Sequence, residues 1–112
     1  MGKIIHMTQR VLDILSDLKR LLAGRYGPRL AKLVLFGSQA RGDEDAESDI
    51  DVLVVLRGPV NWGEELDRTN EELTEFSLDR DVVISCVFIS EEEYERGQSP
   101  LLLNVRREGM PV

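Results

Sequence analysis

Hydrophobic residues near the start of the chain recur at helical spacing. From Thr8 onward the apolar positions are three, four or one residue apart, and they are Val11, Leu12, Leu15, Leu18 and Leu22. This spacing places them along one side of a helix. The segment "GRYGPR", with two glycines and a proline, breaks the pattern. The pattern therefore predicts a first helix that ends in this segment.

Three short apolar runs follow, and each is typical of a buried strand. They are "LAKLVLF" at 30–36, "DIDVLVVL" at 49–56 and "DVVISCVFI" at 81–89. Each is too short for a buried helix, is rich in branched side chains and is bounded by turn or polar residues. We predict three strands from these runs.

A sparser helical stripe lies between the second and third predicted strands. Between Asn61 and Leu78 the apolar residues of this stripe are Trp62, Leu66, Leu73 and Phe76. The surrounding residues are mostly acidic, which predicts a helix with one solvated face. We interpret Trp62 and Phe76 as core residues rather than as a platform on which nucleic-acid bases stack.

Two more helix starts follow the third strand. Ser90 with Glu93 fits a capping box, and Ser99 followed by Pro100 fits a second start that runs to Gly109. The order is then α, β, β, α, β, α, α. This order predicts an α/β or α+β fold, a small mixed sheet of three or more strands with helices packed on one face. The second helix permits a crossover, but the pattern leaves the order of the strands open.

Composition limits the class of protein. The chain has 112 residues, 42% of them hydrophobic, which predicts a single domain over residues 1–112. Its net charge of −7 argues against direct binding to nucleic-acid backbones. No apolar run approaches a membrane span, and the first residues lack the apolar stretch of a signal peptide, so we expect a cytoplasmic protein. The one cysteine, Cys86, lies in an apolar run and is expected to be unreactive core.

Two aspartates stand at the start of the second predicted strand. Asp49 and Asp51 are two residues apart, so on a strand they project from the same side, about 7 Å from each other. Like charges this close resist joint ionisation unless a cation neutralises them. Oxygen ligands of this kind suit Mg²⁺, which often takes one or two carboxylates together with phosphates and water. The pair therefore predicts a magnesium site.

The end of the first strand offers groups for a phosphate ligand. Gly37 lets the backbone approach a ligand, Ser38 adds a hydroxyl, and Arg41 can contact either phosphate or the acidic cluster. A third carboxylate would complete the site if Asp81 lies beside the second strand and faces the same way. Asp79 has the same strand parity, so the choice between these two aspartates stays open.

Together these residues carry a family resemblance. The stretch "GSQARGDEDAESDIDVLVV" resembles the signature of the nucleotidyltransferase superfamily related to DNA polymerase beta: Gly-Ser, ten residues, then Asp-x-Asp. The wording "GSxARG" and the ending "SPLLLNVRREGMPV" are similar to the minimal nucleotidyltransferases. The resemblance covers the chain from Ala31 onward. It implies the palm-like fold of that superfamily.

The resemblance also implies a chemistry. Members bind two Mg²⁺ ions and transfer a nucleotide from a triphosphate to a hydroxyl. By position, Asp49 and Asp51 become metal ligands, and Asp81 becomes the third carboxylate and the base. Gly37 and Ser38 would then cradle the triphosphate, with Arg41 as a further nucleotide contact. ATP as the substrate is likewise implied by the family.

A partner is implied in the same way. Minimal nucleotidyltransferases are typically paired with a HEPN-domain ribonuclease toxin, whose tyrosine hydroxyl they modify with AMP, so that they act as the antitoxin. With 112 residues we expect no second domain to grip a small acceptor, which favours a protein acceptor. Two alternatives stay open: a non-catalytic antitoxin that neutralises its partner by contact, and an antibiotic-type adenylyltransferase.

Two other site types do not fit the acidic stretch. A calcium loop that starts at Asp43 would place Ser48 at its glycine position and Val54 at its glutamate position. A serine hydrolase would need the Gly-x-Ser-x-Gly turn around Ser38 and a histidine base, and the one histidine of the chain is the isolated His6.

Overall fold

The structure, a computed structural model, describes residues 8–37 and 49–112. Its helices are α1 (Gln9–Tyr26), α2 (Trp62–Asp79), α3 (Glu91–Arg96) and α4 (Pro100–Glu108), with a 3₁₀ turn at Gly27–Arg29. Its strands are β1 (Leu30–Phe36), β2 (Ile50–Leu56), β3 (Ile84–Ser90) and β4 (Met110–Pro111). Within these two ranges, no helix is both long enough and apolar enough to cross a membrane.

The four strands form one mixed sheet in the order β3-β2-β1-β4. β1 runs antiparallel to β2 and to β4, while β2 and β3 are parallel and α2 connects them as a crossover. The predicted mixed sheet is thus confirmed. β4 was not predicted, because two residues that include a proline show no periodicity.

Both faces of the sheet are covered by helices, whereas the sequence predicted helices on one face. Side chains alternate along β2, so that Val52 and Val54 pack in the core beneath α1 and α2. Leu53 and Val55 point the other way and pack with Leu102 of α4. All of these β2 residues are fully buried. Because β2 is covered on both sides, it appears in the sequence as a continuous apolar run rather than an alternating one.

The predicted helix starts are confirmed in α1, α3 and α4. The hydroxyl of Thr8 accepts a hydrogen bond from the Val11 N–H and caps α1. Ser90 and Ser99 cap α3 and α4 in the same way, each accepting from an N–H three residues later at 3.1 Å. Such caps satisfy amide groups that would otherwise lack partners at a helix start.

α2 buries a different row of side chains from the one that its apolar residues suggest. The buried row is Glu65, Thr69, Leu73 and Phe76. Trp62 is 53% exposed and Leu66 is 39% exposed, so the prediction that Trp62 belongs to the core is wrong. The two polar residues of the buried row have partners, since Glu65 accepts a hydrogen bond from the Tyr26 hydroxyl and Thr69 donates to the Glu65 carbonyl.

Buried Glu65 is also held by positive charge. Its carboxylate oxygens lie 3.7 Å from guanidinium nitrogens of Arg29 and Arg68. Burial, together with the hydrogen bond to Glu65, raises the pKa of Tyr26 to about 12. A buried carboxylate is tolerable when it is paired and hydrogen-bonded in this way. Arg68 lies one turn away on α2, but Tyr26 and Arg29 come from a distant part of the chain, so the local pattern of α2 could not reveal those two partners.

The reactivity of Cys86 can be used to test how β3 is packed. Cys86 is buried on β3, as predicted, and its burial raises the pKa of the thiol from 9.0 to about 12. We therefore expect native protein at pH 8 to react with iodoacetamide at least about 100-fold more slowly than protein in urea, because the thiolate is the reactive species. Mass spectrometry of the alkylated fraction over time measures both rates.

The same shift has a consequence for stability. The folded state holds this proton more tightly than the unfolded state, so the contribution of Cys86 to the free energy of unfolding is complete below about pH 9 and is lost as the pH rises through about 12.

In the alkylation experiment, equal rates in buffer and in urea would show that β3 does not bury this thiol.

Candidate functional site

The antiparallel pairing of β1 and β2 brings the predicted site residues to one end of the sheet. Phe36, the last residue of β1, pairs with Asp51, the second residue of β2. Gly37 directly follows Phe36, and Asp49 directly precedes β2. The structure therefore places Gly37, Asp49 and Asp51 together, although they are separated in the sequence.

Gly37 and Asp51 are in close contact, and this contact requires glycine. Gly37 has φ +75°, a conformation that other residues rarely adopt. A methyl group on Gly37 would stand 3.3 Å from Cγ of Asp51 and would overlap one of its carboxylate oxygens. The carboxylate of Asp51 thus lies over the backbone at the turn that leaves β1.

The two aspartates lie where the buried part of a sheet face ends. Alternation along β2 places Asp49 and Asp51 on the same face as Leu53 and Val55, which pack against α4. Asp51 is half-buried and Asp49 is exposed. Two carboxylates therefore project from one face with an apolar floor on one side and solvent on the other.

The structure does not bring Asp81 to this pair. The prediction that Asp81 begins the third strand is wrong, because β3 begins at Ile84, which pairs with Ile50 at the start of β2. Asp81 lies in the connection that follows α2, exposed and with φ +50°. Asp79, the open alternative, is the last residue of α2.

The backbone at Asp81 is hydrogen-bonded by a side chain of α1. The Arg10 guanidinium donates to the carbonyl oxygens of Arg80 and Asp81, at 2.7 and 3.1 Å.

Throughout residues 8–37 and 49–112, no three His, Cys, Asp or Glu side chains are grouped so as to hold a metal ion. The described residues thus offer a pair of carboxylates and not a trio.

The residue of β3 that stands opposite Asp51 is Ser85. Paired residues of parallel strands face the same side, about 5 Å apart, so the exposed Ser85 side chain joins Asp51 on its face. Sequence reasoning missed Ser85 because the register between β2 and β3 depends on the whole crossover. Ser38 and Arg41 lie outside the residues that the structure describes.

The chemistry of the pair fits a hard divalent cation. Asp49 and Asp51 offer only oxygen donors on one exposed face. An ion such as Mg²⁺ accepts one or two carboxylates and takes its other ligands from water and phosphate oxygens. Because Gly37 has no side chain, the Asp51 carboxylate can lie directly against its backbone. Asp49 and Asp51 could therefore hold a metal together with a phosphate ligand.

The chain is similar in sequence to known proteins. Residues 12–108 match the family described as "Nucleotidyltransferase domain". A protein of Methanocaldococcus jannaschii named "Putative protein adenylyltransferase MJ0604" is 35% identical over 82 residues, which are 73% of this chain and 76% of that protein.

Two solved structures share the fold. One, described as "Structure of putative minimal nucleotidyltransferase", superposes with a TM-score of 0.58 at 28% identity and covers 96% of this chain and 98% of that one. The other is described as a crystal structure of "the toxin-antitoxin with AMP-PNP", with a TM-score of 0.55 at 21% identity and coverage of 91% and 68%. The family match, which spans nearly the whole chain, and the sequence similarity to the archaeal relative show that this chain is a nucleotidyltransferase of that domain family.

Proposed function

We propose that this nucleotidyltransferase moves AMP from ATP to a hydroxyl group of a partner protein, with Mg²⁺ held by Asp49 and Asp51. The observation that carries the proposal is the Asp51 carboxylate lying over Gly37, with Asp49 on the same face. This arrangement places two oxygen donors beside a turn without a side chain. A triphosphate and its metal need both features.

The proposed reaction forms one bond to phosphorus and breaks another. The acceptor oxygen forms a bond to the α-phosphorus of ATP, the bond from that phosphorus to the β-phosphate bridge breaks, and pyrophosphate leaves. The acceptor proton passes to water. Bound Mg²⁺ supplies positive charge that offsets the charge of the phosphates and favours the ionised acceptor. Asp49 and Asp51 would hold the ion, and the backbone of Gly37 lies next to the Asp51 carboxylate.

The number of ions and the identity of the base depend on more than this pair. Two ions and a third carboxylate were predicted from the family resemblance. Asp81 is not placed to be that third ligand, and Ser85 stands opposite Asp51 instead. In our proposal the described residues supply the two carboxylates, and the triphosphate and water supply the remaining ligands. Ser38 and Arg41 stay predicted nucleotide contacts.

A protein acceptor is supported by the relatives. The archaeal relative is named as a protein adenylyltransferase, and one structural neighbour is a toxin–antitoxin assembly with AMP-PNP. We propose that the acceptor is a tyrosine of a HEPN-domain toxin, which the added AMP inactivates. ATP is supported as the donor because AMP-PNP is an analogue of it.

One observation favours a second candidate function. Within the described residues the carboxylates do not form a group of three, which is compatible with an antitoxin that acts by contact alone. Such a protein would block its partner's ribonuclease activity equally well with and without ATP. The transferase would block it fully only with ATP and Mg²⁺.

The metal assignment is tested with single substitutions. We expect Asp49→Asn and Asp51→Asn each to weaken Mg²⁺-dependent binding of AMP-PNP by about tenfold to 100-fold, because a charged ligand of the ion is lost. Isothermal titration with Mg²⁺ and with EDTA measures this. Asp81→Asn, the same chemical change at an exposed position, is the control and is expected to bind within about twofold of wild type.

The same variants test whether the β2 carboxylates are needed for AMP transfer. With labelled ATP and the product of the neighbouring reading frame as acceptor, Asp49→Asn and Asp51→Asn should lose AMP transfer. If Asp81→Asn loses nucleotide binding and Asp51→Asn retains it, the assignment of the metal to the β2 pair is wrong.

The turn at Gly37 is tested by its own substitution. We expect Gly37→Ala to lower the free energy of unfolding by about 1–3 kcal/mol, because alanine is strained at positive φ and its methyl group overlaps the Asp51 carboxylate. Nucleotide affinity should fall with it. Urea denaturation measures the stability.

Gly24→Ala is the matched control. Gly24 lies within α1 and nothing stands within 4 Å of an added methyl group. Alanine there should raise the free energy of unfolding by about 0.5–1 kcal/mol. If the two alanine variants have equal stability, the Gly37 turn does not require glycine.

A further inference from the structure

A long groove runs beside the candidate site. Its volume is about 1120 Å³, and it lies between α2 and β3. The consecutive residues 82–87 all line it, although neighbouring strand residues point to opposite faces of the sheet. The groove therefore follows the outer edge of β3 rather than either face.

The main chain of β3 is open along this edge. β3 is the last strand of the described sheet. The Ile50 N–H donates to the Val83 carbonyl at 2.9 Å, and in a parallel ladder every second residue bonds to the neighbouring strand. Val83 and Ser85 thus bond towards β2, while Ile84 and Cys86 turn their N–H and C=O groups towards the groove. A further strand could pair with those groups.

Exposed apolar side chains are concentrated around the groove. Six large hydrophobic side chains are exposed in the described part of the chain, and four of them line it: Trp62 at 53%, Leu66 at 39%, Leu78 at 76% and Val83 at 59%. A contiguous patch of this kind is typical of a surface that binds another protein. Three of these four, Trp62, Leu66 and Leu78, belong to α2.

One residue of the groove lining, Ser85, is a neighbour of the carboxylate pair. Ser85 lines the groove and stands opposite Asp51. A strand added to β3 would lie about 10 Å from β2, two strand spacings away. The small Ser85 side chain leaves the space between them open on the carboxylate face. A long hydroxyl-bearing side chain of the added strand could cross it towards Asp49 and Asp51.

The charge beside the groove selects the partner segment. One helical position away from the groove-lining row, α2 carries the exposed acidic residues Asp67, Glu71 and Glu75. Arg10 also lines the groove, but its guanidinium is bound by the carbonyls of Arg80 and Asp81. The outer rim is therefore negative, and it suits a segment with Lys or Arg.

From these features we infer that the groove binds an extended, basic segment of the acceptor protein as an added strand on β3. In the added strand, side chains at alternate positions would contact Trp62 and Leu78. A hydroxyl side chain at one of the intervening positions would point past Ser85 to the carboxylates. The inference rests on the proposed function and identifies how the acceptor docks. The hydroxyl oxygen bonds to the α-phosphorus of ATP, its proton passes to water, and pyrophosphate leaves.

The test uses peptides as acceptors. One pool carries a central tyrosine with apolar neighbours and flanking lysines, and a second pool has glutamates in place of the lysines. With labelled ATP and Mg²⁺, we expect wild-type protein to label the lysine pool at least about fivefold more than the glutamate pool at low salt. The difference should shrink at high salt, since screening weakens exposed charge pairs.

Variants of the groove test the docking surface. Trp62→Ser and Leu78→Ser should each lower labelling of the lysine pool by at least about fivefold through lost apolar contact. Leu103→Ser is the control, because Leu103 is 53% exposed like Trp62 but lies on α4. All three sites are exposed, so the variants should fold and bind AMP-PNP as wild type does.

Peptide methylation tests the added strand itself. In an added strand, alternate N–H groups of the peptide bond to β3. N-methylation of those alternate residues in the best-labelled peptide should abolish labelling, whereas methylation of the other set should not. Equal effects of the two sets would overturn the added strand.

The remaining outcomes are separable. If wild type labels neither pool but labels the product of the neighbouring reading frame, the docking inference fails while the proposed function stands. If wild type labels neither the peptides nor that protein, both fail. If wild type labels peptides and Trp62→Ser and Leu78→Ser label them equally well, the groove assignment fails while the proposed function stands. If light scattering shows a dimer that these two substitutions dissociate, a second copy occupies the groove and the inference is overturned.

Discussion

The candidate site depends on one contact between a turn and a strand. Antiparallel pairing of Phe36 with Asp51 sets the Asp51 carboxylate directly over Gly37. A carboxylate can lie there only because residue 37 has no side chain and can adopt positive φ. Asp49 then shares the face because strand side chains alternate. The site is thus a consequence of the strand register and of one glycine.

The position of β2 explains why this register is firm. Its side chains from Val52 to Leu56 are buried, alternately beneath α1 and α2 on one face and beneath α4 on the other. A slip of one residue would exchange the two faces and carry Asp51 into a core. The free energy of burying β2 therefore also holds the two aspartates at the open end of their face.

Local patterns predicted the helices and strands well, because strand formation and helix capping depend on residues that are close together in the sequence. The run 30–36 became β1 without change, and Ser90 and Ser99 cap their helices as expected. Gly37, Asp49 and Asp51 could be predicted as site residues because each lies at a strand end. Asp81 was misplaced since the start of β3 is fixed by pairing with Ile50, a contact across a helical crossover.

Other features depend on such distant contacts too. The exposed position of Trp62 follows from the partners of buried Glu65, which come from α1 and from the turn after it. Ser85 faces Asp51 for a reason of register alone. These pairings cannot be read from a single sequence, so the residues at the floor and the edge of the site were identified only in the structure.

A crystal of the protein with AMP-PNP and Mn²⁺, a substitute for Mg²⁺ whose anomalous scattering locates it, would test the central claim most directly. We predict an anomalous peak about 2.0–2.3 Å from carboxylate oxygens of both Asp49 and Asp51, with phosphate oxygens on its other side near Gly37. A peak at Asp81 without Asp51, or nucleotide bound with no metal at the β2 pair, would contradict the account.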